Sequence, residues 1–207
     1  MHRYGIYYIE STFMKPKIDT ILQQKVNTAS DINEHLMTLK RYATYCNTIT
    51  EFGVREGEST LALLASRPVK LTSYDLYPST ESLHDLSELA DTEKIDFEFI
   101  EADVLLVDID PCDMLFIDTW HAYGQLIQEL YIHSDKVNKY IIMHDTVSYG
   151  YIDENINHKR TSNTISNNKK GLLAAVSEFL DNNDRWKTEA VFSNNNGLTV
   201  LSRHDNK

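Results

Sequence analysis

Apolar and polar positions along this chain fall into two alternating rhythms. Short runs rich in β-branched and aromatic residues predict strands at Thr48–Phe52, Val69–Leu76, Ile95–Ala102, Met114–Asp118 and Lys139–Asp145. Between them, apolar residues three and four apart predict helices. One opens at Ser30-Asp31 and presents Leu36, Leu39 and Ala43 on one face, with Asp31 and Glu34 at capping-box spacing. Others cover Leu61–Ala65, closed off by Pro68, then Thr80–Ala90, Tyr123–Lys136 and Gly171–Leu180. Two last strands, Trp186–Phe192 and Leu198–Ser202, flank Asn194-Asn195-Asn196-Gly197, a hairpin signal. Strands alternating with helices predict an α/β fold with a mostly parallel sheet covered on both faces, and the hairpin adds an antiparallel last strand.

Residues 1–29 show no clear period, include Pro16, and predict an arm with one short helix. Residues 30–207 contain neither a repeat nor a linker and read as a single domain. Within it, Thr146–Lys170 is too long for an ordinary connection, which predicts either a lid or a solvated insert. Tyr149 and Tyr151 offer rings to stack on a sugar or aryl group, and Lys159, Arg160, Lys169 and Lys170 offer charge to an acidic acceptor.

Composition narrows the classes. The chain has 207 residues, 42% hydrophobic and 25% charged, enough for one full core and ordinary for a globular domain. A formal net charge of −11 argues against general nucleic-acid binding and is compatible with a cationic ligand. No apolar run reaches the length of a membrane span, and Glu10 interrupts the short apolar stretch Gly5–Ile9, so no signal peptide is expected. Cys46 and Cys112 are too few for a disulfide framework and are expected as buried thiols in a reducing cytoplasm. Self-association into a homo-oligomer stays open.

In an open α/β sheet, ligands bind beyond the carboxyl ends of the strands. Four strands here end in acids, Glu51, Asp75, Asp118 and Asp145, and Asp103 follows a fifth. Any one could simply cap the next helix; five on one rim are harder to explain that way. In the first turn, Glu51-Phe52-Gly53-Val54-Arg55-Glu56-Gly57-Glu58-Ser59, Gly53 permits a tight turn and Gly57 a second close approach. Arg55 stands where a dinucleotide fingerprint needs glycine, and no Lys-Ser/Thr pair follows for a P-loop.

This turn, with an acid after the second strand and another after the third, resembles the class I S-adenosylmethionine-dependent methyltransferases. The resemblance runs from about Ser30 to the C-terminus. It implies a Rossmann-like seven-stranded sheet with a reversed last strand. It also implies S-adenosylmethionine bound by Glu51, Gly53, Gly57 and Ser59, with Asp75 at the ribose hydroxyls and Asp103 at the adenine amino group. A second block sharpens it: Leu115-Phe116-Ile117-Asp118-Thr119-Trp120-His121, then Glu129-Leu130, then Ile141-Ile142-Met143-His144-Asp145-Thr146, then Gly171–Leu180. These segments look like catechol-type, macrolide-sugar and cephalosporin-type O-methyltransferases. By that resemblance Asp118 and Asp145 hold a divalent cation and His121 acts as general base, with Asp118 beside it in the catalytic pair. The third ligand departs from the pattern, because His144 stands where some relatives have an acid and Thr146 where others have an amide.

The implied chemistry is O-methylation of a sugar, glycan or small-molecule hydroxyl, a poor nucleophile at neutral pH that needs a base or a metal. Two carboxylates with water favour Mg²⁺ or Ca²⁺ over zinc. His35 is expected on a helix surface and His144 as a structural residue or tentative ligand. Two other classes remain: an oxidoreductase using a nucleotide cofactor on a similar sheet, disfavoured by Arg55, and a non-catalytic binding module on a methyltransferase fold.

Overall fold

The strand at the centre shows how the fold is built. Cys112–Ile117 (β4) is flanked by parallel partners on both sides, so both of its faces must be covered, and from Met114 to Ile117 its residues are apolar without a break. Met114 and Phe116 point to one face, Leu115 and Ile117 to the other, and the two pairs enter separate hydrophobic clusters. In the computed structural model, which describes residues 17–77, 79–155 and 169–204, these clusters lie on either side of one seven-stranded sheet of order β3-β2-β1-β4-β5-β7-β6. The other strands are Thr48–Phe52 (β1), Lys70–Asp75 (β2), Asp96–Glu101 (β3), Val137–His144 (β5), Trp186–Phe192 (β6) and Leu198–Arg203 (β7). Strands β1 to β5 run parallel, and β7 lies antiparallel between β5 and β6.

Helices Ile18–Val26 (α1), Leu36–Ala43 (α2), Glu58–Leu64 (α3) and Thr80–Glu93 (α4) bury their apolar residues against the first face. Helices Tyr123–His133 (α5) and Leu172–Asp181 (α6) cover the second. The α/β architecture, the reversed last strand and the helices on both faces are as expected from the sequence. Cys46 and Cys112 are buried free thiols.

The described end of the N-terminal segment holds one short helix, α1, and it packs on the domain: Ile18 and Leu22 are fully buried with α2 and α3, and Asp19 pairs with Lys40 and Arg67. The first predicted helix starts late. Residues Asn33–His35 form a 3-10 turn and the α-helix begins at Leu36. Glu34 does not close a capping box: its N–H donates to Asn195 Oδ1 and its carboxylate accepts from Asn194 Nδ2. A tertiary partner has taken the bonds that a local cap would have used.

Among the described residues no helix is long and apolar enough to cross a membrane.

Candidate active site at the carboxyl ends of the strands

The chain leaves β1 through Gly53, whose φ of +87° lies in the left-handed region that side chains disfavour. A Cβ there would stand 2.0 Å from the carbonyl oxygen of Asp118, so no other residue fits. The Asp118 N–H in turn donates to the Phe52 carbonyl at 2.8 Å. The first turn is therefore seated directly on the end of β4. Gly57, φ +75°, starts α3, and a Cβ on it would meet Leu86 at 2.5 Å.

The acids of this half are placed differently from one another. Glu51 does not reach the crevice. It is fully buried, and its carboxylate accepts from Ser59, Thr60 and Ser73 at 2.6, 2.8 and 2.6 Å. Burial pushes this carboxyl up to about 7, while the three hydroxyls work in the opposite direction. Glu51 and Ser59 bind each other beneath the turn and tie β1, β2 and α3 together. Asp75 stands at the end of β2, where Oδ2 accepts from the N–H groups of Val54 and Arg55 (2.7 and 3.0 Å) and Oδ1 from those of Leu76 and Tyr77 (2.5 and 2.9 Å). Burial raises its carboxyl, but the four N–H donors outweigh that and hold it below the usual range. Asp103 accepts from the Leu105 N–H at 3.0 Å in an Asx turn just past β3, with Ala102 bonded back to Asp75.

On the other side of Gly53, Asp118, His121, His144 and Asp145 converge. Strands β4 and β5 run in parallel register, Ile117 opposite Met143, so the residues that follow them meet at one rim. Asp145 adopts φ +59° for this, a conformation rare outside glycine and tolerated best by Asp and Asn. His121 Nε2 lies 3.2 Å from Asp118 Oδ1 and 2.9 Å from Asp145 Oδ2, while its Nδ1 is 3.0 Å from Glu154 Oε2. The Tyr149 ring stacks on His121 at 4.8 Å and 9°. Tyr149 thus packs on the histidine, Tyr151 is exposed, and Lys159 and Arg160 lie outside the described residues. Lys169 pairs with Glu178 of α6.

His144 is buried with Nε2 3.2 Å from the Asn195 carbonyl. A carbonyl only accepts, so Nε2 carries the proton and the lone pair of the neutral ring sits on Nδ1. That Nδ1 has no hydrogen-bond partner among the described residues and stands 3.5 Å from both Asp118 Oδ1 and Asp145 Oδ2. His35, expected at the surface, is buried edge-on against His144 at 5.6 Å and donates to the Asn194 carbonyl at 2.9 Å.

The electrostatics follow from this crowding. Burial lowers both imidazoles, but the carboxylates of Asp118 and Asp145 outweigh it and raise His121 and His144 to about 10. Burial raises Asp118 and Asp145, and the two histidines outweigh that, holding both well below the carboxylate range. In this arrangement both nitrogens of His121 face acids, which favours its protonated form. Suitable donors for a cation are present: one ligand atom each from Asp118, His121 and Asp145 lies within 4.8 Å of the others, and the orphaned His144 Nδ1 points at the same acids.

Behind the rim, Glu129 is fully buried in a small cavity shared with Thr119, Trp120, His121 and His144. Thr119 Oγ1 and Gln125 Nε2 both donate to its Oε1, at 2.7 and 2.8 Å, and Oε2 has no partner among the described residues. Burial pushes this carboxyl up to about 7. Glu154 was not visible as a site residue in the sequence, since only the fold brings it beside His121.

No family model and no curated protein matches the sequence. Solved structures match along almost the whole chain. A provisionally assigned caffeoyl-CoA O-methyltransferase from Staphylococcus aureus shares 16% identity at a TM-score of 0.59, covering 92% of this chain and 93% of its own. An O-methyltransferase from Bacillus cereus in complex with SAH shares 13% at 0.57, covering 93% and 94%. The SAH-bound Podospora anserina methyltransferase PaMTH1 shares 13% at 0.57, covering 92% and 89%. The fold is thus the Rossmann-like fold of the methyltransferases.

Proposed function

We propose that this chain is an S-adenosylmethionine-dependent O-methyltransferase acting on a hydroxyl of a sugar, glycan or other small molecule, assisted by a divalent cation at Asp118, Asp145 and His144. The contact between Gly53 and the Asp118 carbonyl carries this reading, because it sets the cofactor turn and the acid–histidine centre edge to edge. A methyl donor and an acceptor bound at the two would meet there. Structures of the same fold with SAH bound, the product left when the methyl group departs, support the choice of cofactor.

The reaction is an in-line displacement. A C–O bond forms as the C–S bond of the sulfonium breaks, the sulfur leaves as a neutral thioether, and the hydroxyl gives its proton to solvent. Positioning supplies most of the rate. Asp75 offers a carboxylate to the ribose hydroxyls, exchanging backbone N–H partners for O–H partners. Asp118, Asp145 and His144 would hold the cation, whose charge would lower the pKa of an acceptor hydroxyl beside it. Tyr149 and Glu154 fix the His121 ring from two sides.

Calorimetric titration with S-adenosylmethionine and, separately, NAD tests the cofactor, and mass-spectrometric screening of sugars, glycans and catechols with labelled methyl donor tests the acceptor. S-adenosylmethionine binding and an O-methylated product are expected. Binding of NAD alone would make the chain an oxidoreductase. Cofactor binding without transfer to any hydroxyl would make it a binding module.

A further inference from the structure

We propose that the acid–histidine centre is a nitrogen-rich transition-metal site, in which His121 Nε2 and His144 Nδ1 join one oxygen each of Asp118 and Asp145 as ligands. Such a site prefers Zn²⁺ or a neighbouring borderline cation to Mg²⁺ or Ca²⁺. The inference deepens the metal-assisted reading above and rests on it only for what the cation does.

Three observations carry it. First, each imidazole is anchored through its far nitrogen by an acceptor. His144 Nε2–H points to the Asn195 carbonyl, and His121 Nδ1 faces the Glu154 carboxylate. In the neutral rings this turns both remaining lone pairs toward the carboxylate oxygens of Asp118 and Asp145. Lone pairs facing carboxylates repel unless a positive charge lies between them, which the ring protons supply in the metal-free centre and one shared cation would supply in their place. The same arrangement, with the outer N–H of a histidine held by a carboxylate or carbonyl, orients metal-binding imidazoles generally.

Second, the distances suit a shared centre. Ligand atoms about 2.0–2.1 Å from one cation stand about 2.9–3.4 Å apart at right or tetrahedral angles. The His121 separations, 2.9 and 3.2 Å, fall in that range, and Asp118, His121 and Asp145 form a convergent group; His144 Nδ1, at 3.5 Å from both acids, would move slightly inward to complete it. The buried, unpartnered Nδ1 of His144 is the atom that such a cation would satisfy.

Third, charge and chemistry agree. Two carboxylates and two neutral imidazoles balance a divalent ion, which a partly buried site requires. Mg²⁺ and Ca²⁺ take oxygen donors, whereas imidazole suits zinc, iron, nickel and copper. The two imidazoles therefore move the expected preference away from the Mg²⁺ or Ca²⁺ that two carboxylates alone suggest. His121 then acts as a ligand, which explains why neither of its nitrogens is free.

The test uses the full-length chain, stripped with chelator and dialysed. Competition titration with Zn²⁺ and with Mg²⁺ should give one tight Zn²⁺ per chain and Mg²⁺ binding weaker by more than about 10²-fold. X-ray absorption of the zinc-loaded wild type should show two imidazole nitrogens. His121→Ala and His144→Ala should each lose more zinc affinity than the roughly 10–100-fold that losing an outer partner costs, and Glu154→Gln should fall within that range. Equal or tighter Mg²⁺ binding, fewer than two imidazoles, or wild-type affinity in either folded histidine variant would overturn the proposal. If a variant does not fold, the wild-type absorption spectrum decides. S-adenosylmethionine titrated into the stripped protein keeps the readings apart. Cofactor binding without tight zinc sinks this inference alone, and tight zinc without cofactor binding sinks the methyltransferase reading alone.

Discussion

Glu129 carries an unusual burden for a single side chain. Its native carboxyl keeps its proton up to about pH 7, whereas an unfolded glutamate releases it near 4.5. Between those values the native state holds the extra proton, so stability falls as pH rises through the window. Glu129→Gln copies the neutral form and keeps an oxygen for Thr119 and Gln125. It should leave the melting temperature unchanged near pH 4 and stabilise the protein above pH 7 by up to about 3 kcal/mol. An equal effect at both values would show that the carboxyl is not protonated in the native state. Gly53→Ala should act in the opposite direction. A methyl group 2.0 Å from a carbonyl oxygen on a left-handed backbone should cost about 2–4 kcal/mol in chemical denaturation. At this scale the sequence is legible where chemistry is local. Asp118, His121 and Asp145 could be named because strand ends and a three-residue spacing bring them together. Glu154, His35 and Asn195 could not, since their partners lie 33, 159 and 51 residues away and only packing decides the pairing.

Among the elements, the hairpin tip between β6 and β7 does more than reverse the chain. Asn194, Asn195 and Asn196 bind the segment from Ser30 to His35 on one side and Val147 and Ser148 on the other. The tip thereby presents the two carbonyls that fix His35 and His144. Asn195→Ala removes the acceptor for the Glu34 N–H and the donor to the Ser30 carbonyl, and puts a less tolerant residue at φ +42°. It should lower stability by about 2 kcal/mol or more, and zinc affinity by roughly 10–100-fold because the outer partner of His144 shifts. Thermal melts and metal competition on the same sample check both. The Asn-Asn-Asn-Gly signal marked the turn correctly, and the apolar rhythm located the seven strands of the described residues and the helices α2 to α6. What the rhythm missed was docking. The helix expected from Ser30 gives up its first residues because Asn194 and Asn195 claim Glu34. The segment before it enters the core because Ile18 and Leu22 find apolar partners on α2 and α3, which no local period reveals.

At the scale of the whole molecule, the sheet order fixes which acids share the rim. β1 lies between β2 and β4, so Asp75 and Asp118 flank the same turn from its two neighbours. Asp75→Ala should weaken S-adenosylmethionine binding by at least about 10-fold, since it removes a charged acceptor and loosens four N–H groups of the turn. Unchanged affinity by calorimetry would remove Asp75 from the ribose site.

The seat of Gly53 on Asp118 has a thermodynamic consequence. One backbone hydrogen bond and one van der Waals contact join the two halves of the rim, so displacing either half displaces the other. Cation and cofactor should therefore be heterotropic partners. Whatever factor the metal contributes to cofactor affinity, the cofactor must return to metal affinity, because the two paths round the cycle end at the same ternary state. Titrating each ligand with and without the other should give two equal ratios different from one. Two ratios of one would mean that the halves of the rim bind independently.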